Sequence, residues 1–250
     1  MAGRRIEIRG TVQGVGFRPW VYRVAKRMAV VGRVRNAPAG VTIEAFASDD
    51  VLDLFVEQLR DPTPSSARVL DLHSARIPDE TLTGFVIESS DTVGDKTLSI
   101  PPDLATCGDC RAEILDPNDR RYQYAFTNCT TCGPRFTIAT GIPYDRPATT
   151  MSQFQMCPEC QQEYGDVEDR RFHAQPNACP KCGPKLSLAA VDGSALPATN
   201  PLDGAVQLLK CGAVVAVKGL GGFHLACDAA NATAVRRLRE RKHRDEKPFG

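Results

Sequence analysis

The sequence predicts an α+β chain in three parts, and three observations lead there. The first 91 residues switch between period-2 and period-3.6 apolar patterns, the marks of strands and helices. Eight of the ten cysteines fall in four CxxC pairs between positions 107 and 182, in a stretch with few apolar runs. Past position 200, helix and strand signals return. A length of 250 residues suits two or three such parts.

The elements follow in order. In "RRIEIRGTV", Ile6, Ile8 and Val12 lie on one side of an alternating strand. Trp20, Val21, Val24, Ala25 and Met28 then recur at helical spacing, with Gly32 as the expected stop. "VTIEAFA" is another alternating strand. Asp49 and Asp50 precede a helical set of Leu52, Phe55, Val56 and Leu59, which ends at "DPTP". Strand-like "VLDLHSARI" and "GFVIESS" complete the part. The part is read as β-α-β-β-α-β with an extra strand, the ferredoxin-like arrangement, which asks for one strand more than these segments supply. Residues 1–91 form this first domain, and residues 92–102 read as a linker.

Residues 103–185 hold the cysteines and an internal repeat. Cys107/Cys110 and Cys129/Cys132 are separated by 18 residues, as are Cys157/Cys160 and Cys179/Cys182. The offset of 50 residues also maps Glu113 onto Glu163, Asp119 onto Asp169, Arg120 onto Arg170 and Arg121 onto Arg171. Two thiolate pairs of this type complete a tetrahedral sulfur site, so the region reads as a double four-cysteine zinc-finger region with two structural zinc ions. An all-sulfur site leaves no open position for water, so these ions hold a fold and do no chemistry. Pairing of first with second and third with fourth is simplest, and a crossed arrangement would leave the same trace. Few apolar residues remain to build a core, so metal carries the folding. Cys211 and Cys227 lack partners and read as small core residues. His73, His173 and His243 read as structural. His173, between two CxxC pairs, is a substitute ligand if one cysteine is not used.

Residues 186–199 read as a second linker. In residues 200–250, Asn200-Pro201 caps a helix with Leu202, Val206 and Leu209 on one face and Gly212 as stop. "AVVAVKG" reads as a strand from the middle of a sheet, and "NATAVRRLRERK" as a helix. Seven basic residues between Val235 and Lys247 face three acidic ones, a solvated helix face or a polyanion patch by composition. The net charge of +1 gives no global field for nucleic acid or acidic membranes. Without an apolar leader or a run of roughly 20 apolar residues, a cytoplasmic protein without a membrane partner is expected.

Chemistry is suggested first by "GTVQGVGFRPW", Gly10 to Trp20. A glycine-rich turn opens a helix at Phe17, so free backbone N–H groups and the helix dipole face the turn. Gly14 and Gly16 allow close approach to an oxyanion, and Arg18 in the first helical turn offers a planar fork to two phosphate oxygens. On its residues alone, Asn36 is a turn residue before "APAG".

"GTVQGVGFR" resembles the acylphosphatase signature, and "GRVRNAPAGVTIEA" resembles that family's second conserved segment. The resemblance implies that Arg18 and the loop amides of Gln13, Gly14, Val15, Gly16 and Phe17 bind the phosphate of an acyl phosphate. It implies that Asn36 positions the attacking water. Neither an enzyme nucleophile nor a metal is needed, because acyl phosphate is already activated.

The order of parts extends the likeness. An acylphosphatase-like part, the cysteine array, then "KGLGGFHLACDA" and "RLRERKHRDEKPF" resemble the HypF family of carbamoyltransferases, which mature [NiFe]-hydrogenases. The third part resembles the start of an α/β YrdC-like domain, so the chain is expected to be a fragment. The resemblance implies carbamoyl phosphate and ATP as substrates, and HypE as carbamoyl acceptor. It places Lys218, Arg241, Lys242, Arg244 and Lys247 along a nucleotide triphosphate site. Two other readings stay open: a stand-alone acylphosphatase with a zinc-binding accessory region, and a zinc-scaffolded nucleotide- or RNA-binding protein.

Overall fold

The computed structural model describes residues 1–61, 64, 66–91, 100–197, 200–219, 222–244 and 246–249. The chain separates into two compact units, Met1–Pro184 and Lys185–Gly250. No helix among the described residues is long and apolar enough to cross a membrane.

The first unit begins with a five-stranded sheet. Its elements are β1 (Ala2–Thr11), α1 (Phe17–Arg27), β2 (Val31–Ala37), β3 (Gly40–Ala47), α2 (Asp49–Arg60), β4 (Arg68–Ile77) and β5 (Phe85–Ile87). The strand order is β4-β1-β3-β2-β5. All pairings are antiparallel except β2 with β5, so β5 is the additional strand, laid parallel along the edge. The alternation seen in the sequence puts Ile6, Ile8, Val34, Ile43 and Ala45 on one face. There they pack against Val21 and Val24 of α1 and Leu52, Phe55 and Leu59 of α2.

Helix α1 ends earlier than its sequence suggests. Gly32 is not the stop but lies inside β2, where its N–H donates to Gly84 O at 2.9 Å. The turn is made by Ala29, in the left-handed region at φ 54°, with Val30 N–H closing on Ala25 O at 2.9 Å. These bonds satisfy the last carbonyls of the helix without a glycine.

Residues 101–184 contain little regular structure. Helices α3 (Gly108–Leu115) and α4 (Pro158–Gly165) each start directly after the first cysteine of a CxxC pair. The two copies interlock reciprocally. Arg121 donates to Glu163 at 2.6 and 2.9 Å and to Ala178 O at 3.0 Å. Arg171 donates to Glu113 through both terminal nitrogens and to Asn128 O at 3.0 Å. Gln123 and His173, at equivalent positions, both have positive φ (56° and 54°).

In the second unit, α5 (Pro201–Lys210) is capped by Asn200, whose side chain accepts from Leu202 N at 2.9 Å. Strands β6 (Val215–Lys218) and β7 (Phe223–Ala226) form a two-stranded antiparallel sheet, followed by α6 (Ala232–Lys242). The strand expected inside a sheet is therefore half of a pair among the described residues, and Val217 is exposed. Cys211, expected in a core, is exposed at the end of α5, and Cys227 is only half-buried.

Candidate acyl phosphate site and metal centres

The loop between β1 and α1 is shaped by two glycines in the left-handed region, Gly14 at φ 71° and Gly16 at φ 75°. Gly16 caps α1 without a side-chain bond. The N–H groups of Gly14 to Phe17 donate to no protein acceptor among the described residues. Gly14, Gly16, Phe17 and Arg18 line a small cavity of about 30 Å³. Unpaired amides at a helix start form an anion cradle. Gln13 and Val15 do not line this cavity. The Gln13 side chain is buried and turned away, donating to Ala37 O and Gly40 O at 2.8 and 2.6 Å. Val15 belongs to the apolar core.

Arg18 is only 8 % exposed. Its Nη2 donates to Asp145 Oδ1 at 2.5 Å. Asn36 is fully buried in β2, and its Nδ2 lies 3.3 Å from the same oxygen. The structure thus brings Arg18 and Asn36 together. Asn36 Oδ1 is buried and has no partner among the described residues. An orphaned buried acceptor costs free energy unless something donates to it.

Residues that the sequence reading missed close the site from the cysteine-rich region. Arg135 donates to Gly14 O and to the carbonyls of Cys132, Pro134 and Thr130. Tyr144 N–H donates to Gln13 Oε1 at 2.9 Å. His173 borders Arg18, and burial together with that guanidinium pushes its pKa down to about 4, so the imidazole is neutral. Arg135, Tyr144 and Asp145 come after the second CxxC pair in the 24-residue spacer, which carries no periodicity; only its place between the two repeats marks it out.

The cysteines gather as the repeat suggests. Cys107, Cys110, Cys129 and Cys132 form one cluster, and Cys157, Cys160, Cys179 and Cys182 another. Sequential pairing therefore holds and the crossed alternative falls. Neighbouring sulfurs lie 3.5–3.8 Å apart in the first cluster and 3.6–3.8 Å in the second. A tetrahedral zinc–thiolate site with bonds of about 2.3 Å requires sulfur–sulfur edges of about 3.8 Å. Both clusters fit that ion. His173 is not in either cluster.

Three family profiles match the chain: "Acylphosphatase" over residues 4–87, "HypF finger" over 106–139 and 156–189, and "Telomere recombination" over 207–250. An acylphosphatase of Treponema denticola is 45% identical over 82 residues, which cover 32% of this chain and 86% of that protein. Carbamoyltransferase HypF2 of Cupriavidus necator is 53% identical over 247 residues, 98% of this chain and 31% of the relative. The chain belongs to the HypF family. It spans about a third of the length of the curated HypF relatives it matches. A HypF crystal structure described as full-length and phosphate- and nucleotide-bound superposes with a TM-score of 0.88 at 40% identity, covering all of this chain and 32% of that one. Both finger matches coincide with a four-cysteine cluster.

The basic residues of this HypF-family chain are only partly gathered. Lys242 and Arg244 line one cavity in the second unit, of about 530 Å³, with Phe223, His224 and Phe249. Lys218, Arg241 and Lys247 are not part of its lining. Lys218 sits instead over the Phe223 ring, 5.2 Å from its centroid. Arg244 donates to Pro248 O at 2.6 Å.

Proposed function

We propose that this chain is the part of a carbamoyltransferase that takes in carbamoyl phosphate and hydrolyses it to carbamate and phosphate. Residues 1–91 are the hydrolytic domain, 103–185 a finger region holding two structural zinc ions, and 200–250 the beginning of a YrdC-like domain. The observation that carries the reading is the pairing of two groups: unpaired loop amides with Arg18 around one cavity, and the buried Asn36, whose Nδ2 shares Asp145 Oδ1 with Arg18.

The loop amides and Arg18 hold the phosphate oxygens, and charge stabilisation grows as charge builds on the phosphoryl group in the transition state. Asn36 holds a water through its side-chain amide, oriented toward the bound phosphoryl group. The water's oxygen bonds to phosphorus, the bond from phosphorus to the bridging oxygen breaks, carbamate leaves with that bond's electrons, and a proton of the water passes to the phosphate. Zinc takes no part in these steps; it fixes the finger region that closes the site.

In the complete protein the carbamate reacts with ATP to give carbamoyl adenylate and pyrophosphate. The carbamoyl group then passes to the C-terminal cysteine of HypE. The nucleotide named in the description of the HypF structure, the 207–250 profile match and the family's carbamoyltransferase name support these later steps. Lys218, Arg241, Lys242, Arg244 and Lys247 are proposed contacts for the triphosphate. Absence of a spanning helix among the described residues agrees with a cytoplasmic site of action.

The test is phosphate release from carbamoyl phosphate without ATP. Arg18→Ala should lower turnover by about 10²–10³-fold, and Asn36→Ala should also lower it, while both variants keep two zinc ions. Unchanged turnover in Arg18→Ala would refute the assignment.

A further inference from the structure

We infer that Asp145 reads the amide of the carbamoyl group, so that the site selects carbamoyl phosphate over acetyl phosphate. This rests on the acyl phosphate reading of the same site. The two substrates differ only by NH₂ against CH₃. They are nearly the same size, so apolar walls separate them poorly, whereas a placed hydrogen-bond acceptor separates them well.

The geometry supplies that acceptor on the right side of Arg18. Arg18 borders two spaces, the loop cavity and a larger chamber of about 400 Å³. Phosphate on the loop amides leaves the acyl group directed across Arg18 into the chamber. The chamber wall includes Ile87, Ile142, Pro143 and Ala148, with Asp145 on it. Among the described residues Asp145 is one of two carboxylates lining this chamber, and the other, Glu88, is engaged by Arg35 at 3.3 Å.

The carboxylate also has capacity to spare. A carboxylate accepts about four hydrogen bonds. Oδ1 of Asp145 takes Arg18 and Asn36, while Oδ2 takes Ser90 Oγ. Among the described residues one lone pair of Oδ2 remains for an N–H donor. Gln175 is a poorer candidate, because its Oε1 already accepts from Arg146 N and Tyr164 OH at 2.8 and 3.1 Å. A methyl group against Asp145 would desolvate a charged acceptor and return nothing.

The experiment measures kcat/KM for phosphate release from carbamoyl phosphate and from acetyl phosphate in the Met1–Gly250 chain. Parent, Asp145→Ala and Asp145→Asn are compared, with zinc content and Trp20 emission checking the fold. The carbamoyl-to-acetyl ratio should fall by about tenfold or more in Asp145→Ala and by less in Asp145→Asn, which keeps one neutral acceptor. Should the alanine variant lose zinc, the near-isosteric asparagine variant decides, again by its ratio. An unchanged ratio overturns the inference and leaves the acyl phosphate site standing. So does a parallel rise of both rates, which would mean that Asp145 merely competes with phosphate for Arg18. A parent chain inert toward both substrates sinks the acyl phosphate reading and the inference with it.

Discussion

Glu44 shows how one residue ties local pattern to stability. It lies on the outer face of β3, away from the apolar core, yet it is 4 % exposed. Sheet register puts Arg5 and Arg33 directly across from it on the two neighbouring strands. Arg5 donates to it at 2.7 Å, Arg33 at 2.6 Å, and Arg35 Nη2 stands 3.7 Å away. Burial alone would raise the glutamate pKa, but the bonds from Arg5 and Arg33 outweigh it and hold the carboxyl below its ordinary value. A depressed folded pKa stabilises the fold above the ordinary glutamate value of about 4.3, and that stabilisation is lost as pH falls toward the folded pKa. Glu44→Gln keeps the shape and leaves the guanidiniums without their counter-charge. It should destabilise the sheet by about 2 kcal/mol at pH 7, and the gap from the parent should shrink below pH 4. Trp20, the single tryptophan and a residue of α1, reports this in urea titrations followed by fluorescence. An equal gap at both pH values would show that lost charge is not the cause.

Among the elements, the two finger copies are coupled crosswise. Arg120 and Arg121 of the first copy reach Glu163 and the Cys160 sulfur of the second, with Arg120 Nη2 3.3 Å from that sulfur. Arg170 of the second copy stands 3.1 Å from the Cys110 sulfur, and Arg171 holds Glu113. Guanidiniums beside thiolates offset the negative charge of a four-cysteine site and fix its ligands. Arg121→Ala should therefore weaken zinc retention in the cluster Cys157–Cys182, not in its own, by about 10–100-fold. Chelator competition with alkylation mapping of the exposed thiols measures this; equal weakening of both clusters would refute the crosswise coupling. The 50-residue repeat, the eight ligands and most strands and helices were legible, because repeats and alternation are properties of neighbouring positions. The exchange of Arg–Glu partners was not, since a repeat does not say whether a residue meets its own copy or the other. The misplaced helix stop has a similar origin: Ala29 adopts a conformation that glycine usually signals. At the candidate site Arg18 and Asn36 were legible through two family-like segments. Asp145 was not, because it is 109 residues from Asn36 in the chain and joins it only in the folded unit.

At the scale of the molecule, the ferredoxin-like sheet and the finger region divide the work unequally. The sheet has its own apolar core, from Ile6 and Ile8 through Val24 to Phe55 and Leu59. The finger region has cysteine clusters and a few residues around Tyr124 and Met151 in its place. Removing metal from such a region removes most of what orders it. Arg135, Tyr144 and Asp145 all come from the finger side and meet the loop and Arg18. Zinc extraction should then leave Trp20 emission native-like and some acyl phosphate hydrolysis, because the loop, Arg18 and Asn36 belong to the sheet domain. The preference for carbamoyl phosphate should collapse, since the residues that close the chamber are released. Chelation of the Met1–Gly250 chain, followed by both substrate assays and by readdition of zinc, tests this ordering. Simultaneous loss of Trp20 emission, hydrolysis and preference would show instead that the sheet cannot stand without the fingers. Retained preference in the zinc-free chain would place selectivity within the sheet domain itself.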